Sequence, residues 1–131
     1  MKKTTIIIFL ILLSLKSFAQ RIIENPAFEI SSSGITHISK IVLDKDATRI
    51  HIHNKFIPNW WVMFDKDVFI QLDNETKLNI VGVEDFKLGD KITMPASGEN
   101  NVVLLFPPLN ENIKKIDFNN EVFGISLVEG A

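Results

Sequence analysis

From about position 25 onward, apolar residues recur mostly with period two, in short runs at 25–30, 35–43, 48–56, 60–64, 68–72, 78–83, 91–94, 101–106, 116–118 and 122–128. Clusters of turn-forming residues separate them, among them Asp44-Lys45-Asp46, Asp65-Lys66-Asp67, Leu88-Gly89-Asp90 and Asn119-Asn120. A side-chain period of two belongs to a strand with one face buried, and no stretch shows the 3.6-residue period of an amphipathic helix. The pattern predicts an all-β chain, with strands at a spacing that suits two antiparallel sheets packed as a β-sandwich. A small barrel is the alternative.

The first nineteen residues follow a different pattern. Met1-Lys2-Lys3 is basic, 6–15 is almost wholly apolar, and Ser17-Phe18-Ala19 has small residues flanking a larger one, which is the order of a secretory signal peptide. Cleavage is expected after Ala19, leaving one domain over 20–131 in the periplasm or outside the cell. The apolar run is half of the roughly 20 residues a membrane-spanning helix needs. No later run is as long, so no membrane span is expected.

The chain has no cysteine. That removes disulfides, thiol nucleophiles, cysteine-ligated zinc and the lipidated cysteine of a bacterial lipoprotein. Taking Lys2, Lys3 and Lys16 from the 14 basic residues leaves 11 against 16 acidic ones, a formal charge of −5 for the mature chain. Nucleic acid and anionic lipid surfaces both call for a basic patch. Neither is an expected partner.

Two stretches carry candidate chemistry. In Pro58-Asn59-Trp60-Trp61-Val62-Met63-Phe64, strand alternation would put Trp60, Val62 and Phe64 on a core-facing side and Trp61 and Met63 on the other. A sugar platform needs its rings on one face, so this reading seals Trp60 in the core and leaves Trp61, with Pro58, Asn59 and Met63, as the candidate contact surface. In Arg49-Ile50-His51-Ile52-His53-Asn54-Lys55, two imidazoles two residues apart share a strand face. With His37 from a neighbouring strand, His51 and His53 form a candidate metal site, although Arg49 and Lys55 would repel a cation. The acidic turns do not continue into a calcium loop. There is no Gly-x-Ser-x-Gly elbow, phosphate-binding glycine loop or His-Glu-x-x-His motif, so no enzyme and no cofactor are expected.

Three stretches carry a resemblance: "THISKIVLDKDATRIHIHNKFIPNWWVMF", "ITMPASGENNVVLLFPPLNENIKKIDFNN" and "FGISLV". Together they resemble a functionally unassigned immunoglobulin-like β-sandwich of exported proteins from Gram-negative gut bacteria, which often precedes a thioredoxin-like domain. The residues that match its pattern are Pro58, Trp60 and Trp61, then Met94, Pro95, Ser97, Gly98 and Glu99, then Phe106, Pro108, Leu109, Ile116, Asp117 and Phe118. The resemblance implies an immunoglobulin-like fold and an exported location. The sequence holds no thioredoxin-like region and no Cys-x-x-Cys, so no redox role is carried over, and where the relatives tend to have an acid this chain has His53. The resulting expectation is a non-catalytic accessory domain that meets another envelope protein or a small ligand through Trp61 and the loops around Pro58 and Pro95. A metal-binding protein using His51 and His53, and a carbohydrate-binding module, are the alternatives.

Overall fold

The computed structural model describes residues 20–73 and 75–129, and the expected signal peptide lies outside them. Among the described residues there is no helix, and hence none long and apolar enough to cross a membrane. Twelve strands follow one another along these residues: β1 (Arg21–Glu24), β2 (Ile30–Ser31), β3 (Thr36–Leu43), β4 (Thr48–Lys55), β5 (Trp61–Val62), β6 (Phe69–Leu72), β7 (Lys77–Asn79), β8 (Gly82–Val83), β9 (Ile92–Thr93), β10 (Glu99–Phe106), β11 (Lys115–Phe118) and β12 (Val122–Ser126). They form one five-stranded sheet in the order β1-β3-β4-β10-β8, a second in the order β2-β12-β11-β6-β7, and a two-stranded ribbon β5-β9. All pairings are antiparallel.

Alternation explains how the sheets meet. In β4, Thr48, Ile50, Ile52 and Asn54 are buried while Arg49, His51 and His53 are half-exposed; in β10, Val102, Leu104 and Phe106 turn inward. Ile70, Ile116, Phe118 and Ile125 of the second sheet join them in a single core. Phe106 and Phe118 touch across the two sheets, edge to face, with ring centroids 6.4 Å apart. Fully burying such a side chain stabilises the fold by roughly 1.5–3 kcal/mol. The result is an all-β, sandwich-like fold.

The strand boundaries depart from the sequence reading where the chain changes sheet. The run at 25–30 is mostly a crossing: Asn25 takes a left-handed φ of 43°, and pairing resumes only at Ile30. The run at 78–83 divides between the sheets. The Ile80 N–H donates to Val68 O of the second, while the Val81 N–H donates to Leu105 O of the first. The runs at 60–64 and 91–94 shrink to the two-residue strands of the ribbon. β1, next to the expected cleavage point, was not among the predicted runs.

Candidate functional site

Beyond Lys55 the chain leaves β4 and turns. The Trp60 N–H donates to Ile57 O at 3.1 Å, Pro58 sits at the first central position, and Asn59 has a φ of 67° at the second. Proline fixes the first torsion of such a turn, and asparagine tolerates the left-handed second position. A neighbouring turn braces it: the Gly98 N–H donates to Pro95 O, and the Phe56 N–H donates to Gly98 O at 2.9 Å. Gly98 has a φ of 73°, and a Cβ there would lie 2.7 Å from Phe56 O. Only glycine fits this position without displacing the Pro58 turn.

This turn overturns the expectation that Trp60 is sealed in the core. Trp60 is 52% exposed and Trp61 46%. The alternation that would separate them holds only inside a strand, and Trp60 stands at the end of the turn, outside the two-residue β5. The two indoles lie nearly parallel, 21° between planes and 6.3 Å between centroids. Phe56 meets Trp60 edge-on at 5.9 Å, and the Lys91 ammonium lies 4.5 Å from the centre of the Trp61 ring, a cation–π contact. Met63 and Ile57 are also about half exposed, at 50% and 47%. Of the three residues expected to point inward, Phe64 is buried and Val62 partly so. Pro58 and Asn59 are exposed in the turn itself.

Beside these rings a cleft of about 280 Å³ runs in between the sheets. Trp61 in β5 and Met63 just after it line one side, Phe64 and Val68 continue it, and Phe118 and Glu121 close it where β11 turns into β12. Asn119 and Asn120 make that turn with left-handed φ values of 48° and 55°. Asn54 also lines the cleft. It is 0% exposed, its Nδ2 donates to Asn100 Oδ1 at 3.0 Å, and its Oδ1 has no hydrogen-bond partner. A buried carbonyl left unpaired costs on the order of 1–3 kcal/mol. Burial also raises the Glu121 carboxyl above the usual carboxylate range, with only a weak opposing contact from the Asn119 amide. Small-ligand sites combine apolar side chains with polar groups that fix orientation, and this cleft mixes its apolar residues with Ser33, Thr36, Asn54, Asn119 and Glu121.

A second recess of about 340 Å³ lies at the Asp44 turn, but Asp44 is already satisfied there. Its Oδ1 accepts from the Asp46 and Ala47 N–H groups at 2.8 and 2.9 Å, and its Oδ2 from Arg49 at 2.7 Å. Those backbone donors first, and Arg49 after them, lower its pKa. The buried Thr48 hydroxyl also lacks a partner, but Thr48 is not among the residues lining that recess.

The histidines are brought together only in part. His37 pairs directly with His53 across the β3–β4 ladder, but the bulge at Ser39 sets Lys40 opposite His51. Desolvation, then the Lys40 charge, lowers the His51 pKa. His53 Nδ1 lies 2.9 Å from Asn101 Oδ1, and its Nε2 3.0 Å from Glu99 Oε1. Both acceptors, Asn101 first, favour the doubly protonated ring and raise its pKa. Both nitrogens of His53 are therefore engaged. Among the described residues no three His, Asp or Glu side chains converge to hold a metal ion.

Sequence reasoning placed Trp61 and Met63 at the contact surface and missed Asn54 and Glu121, which line the same cleft. Asn54 follows Ile50 and Ile52 on the inward face of β4, and a polar residue in that register is the available signal. No protein-family model, curated protein or solved structure matches the chain.

Proposed function

We propose that this chain is a non-catalytic accessory domain of an immunoglobulin-like sandwich type, exported to the periplasm or beyond, that holds a small ligand in the cleft at its tryptophan end. The observation that carries this reading is the buried, unpartnered Asn54 Oδ1 in the mixed polar and apolar lining of a cleft rimmed by Trp61 and Met63. Export is supported by the leader pattern of residues 1–19. The immunoglobulin-like assignment is supported by two facing antiparallel sheets together with the family resemblance. The non-catalytic part of the reading is supported by the sequence alone, which carries no Gly-x-Ser-x-Gly elbow, phosphate-binding glycine loop or His-Glu-x-x-His motif.

The exposed, nearly parallel indoles favour a second reading, in which a sugar ring stacks on them. Intrinsic fluorescence separates the two, because the chain has only two tryptophans. The protein is titrated with a panel of small apolar and amphipathic compounds and with soluble glycans. A cleft ligand should lose binding in Trp61→Ala and keep it in Trp60→Ala, since Trp60 does not line the cleft. Glycan binding lost equally in both variants supports stacking, and no saturable response to either set of compounds contradicts both readings.

A further inference from the structure

We infer that the cleft selects a small organic amine in its ammonium form, with the apolar body against Trp61 and Met63, the exposed apolar residues of its lining, and the N–H donors directed at Asn54 Oδ1 and the Glu121 carboxylate. This rests on the cleft reading above and adds the chemical class of the ligand. Three observations carry it. The first is the Asn54 amide: its nitrogen is committed to Asn100, which does not line the cleft, so the group left over is an acceptor without a donor. The second is charge, because Glu121 is the one ionisable side chain lining the cleft.

The third is the lack of a counter-charge. Among the described residues Glu121 forms no ion pair, and the single side-chain donor to its carboxylate is Asn119 Nδ2 at 3.5 Å. An anionic ligand would meet a like charge, and a neutral one would leave the carboxylate unpaired in a partly buried place. An ammonium supplies donors to both acceptors as charge-assisted hydrogen bonds, roughly twice as strong as neutral ones. The face of Trp61 that would otherwise attract a cation already carries Lys91, which leaves Glu121 as the cation-seeking group. A cleft of about 280 Å³ lies just below the range of drug-sized pockets and suits a one-ring or short branched body.

The test uses three probes of matched shape, 2-phenylethylamine, 2-phenylethanol and 3-phenylpropionate, titrated by calorimetry and by tryptophan fluorescence into the wild-type protein and Glu121→Gln. The expected result is saturable binding of the amine at least about tenfold tighter than the alcohol, with the propionate weakest. Glu121→Gln should remove that tenfold advantage by weakening the amine, while the alcohol, which no longer leaves a carboxylate unpaired, should bind no more weakly than to the wild type. An amine that binds no better than the alcohol, or keeps its advantage in Glu121→Gln, overturns the ammonium assignment while the alcohol's binding sustains the cleft. Absence of saturable binding by all three probes overturns the inference and the cleft reading together.

Discussion

The long strands of the first sheet end in two different ways. At the Asp44 turn, where β3 passes into β4, a single carboxylate takes two backbone N–H groups and an arginine, and the chain reverses over four residues. At the other end, where β4 runs out past Lys55, two turns stacked on Gly98 hold a pair of indoles in solvent, and behind them a buried amide oxygen has no partner. The recess at the first end is the larger of the two, about 340 against about 280 Å³. Size therefore does not distinguish them. Both ends hold a buried oxygen without a partner, Thr48 Oγ1 at the first and Asn54 Oδ1 at the second, but only Asn54 lines a cleft, where the Glu121 carboxylate is also short of donors; that combination is what the proposed ligand would meet.

Substitutions can break or sharpen this contrast. The largest effect is expected from Gly98→Ala, which combines a left-handed φ with a Cβ 2.7 Å from Phe56 O. It should cost about 2–4 kcal/mol in chemical denaturation and shift the tryptophan emission as the Pro58 turn moves. Asp44→Ala, in the turn at the opposite end, should cost about 1–2 kcal/mol at neutral pH without changing that emission. Because the folded Asp44 pKa is lowered, its stabilisation is present above the unfolded value and is lost as pH falls through the folded one. The penalty of Asp44→Ala should accordingly shrink toward zero in acid.

Glu121→Gln should act in the opposite direction. The folded carboxyl has a raised pKa, so the wild type loses stability as pH rises from the ordinary carboxylate range through that raised value. The variant should then be the more stable protein at neutral pH, by less than about 1 kcal/mol because the group is half-exposed and screened, and a urea midpoint series across pH reads this directly. The smallest effects belong to Trp60→Phe and Trp61→Phe, each expected within about 0.5 kcal/mol of the wild type. A sealed Trp60 would instead make the first of these clearly destabilising.

Much of the architecture was legible in the sequence because β4 alternates, β10 is a short apolar run of strand length, and the turns around them carry aspartate, asparagine, glycine and proline. The placement of Trp61 and Met63 at an exposed surface was legible for the same reason. The position of Trp60 was not, since alternation was extended across a turn; the Pro58-Asn59 pair, a proline before a residue that tolerates positive φ, was the sign that no strand runs there. Continuous apolar sequence at Ile80 and Val81 hid the step from one sheet to the other, where backbone pairing rather than side-chain pattern marks the boundary. Glu121 gave no local signal at all. It belongs to the cleft only because the second sheet brings the β11–β12 turn against the end of β4.

The tryptophan end is tested most directly by emission and acrylamide quenching of the single-tryptophan variants Trp60→Phe and Trp61→Phe in the folded protein. Both should emit near the wavelength of solvent-exposed indole and be quenched readily, and the indole left in Trp60→Phe, which is Trp61, should alone become protected when a cleft ligand is added. A blue-shifted, quencher-resistant signal from the indole left in Trp61→Phe would place Trp60 in the core and contradict the open end on which this account of the protein depends.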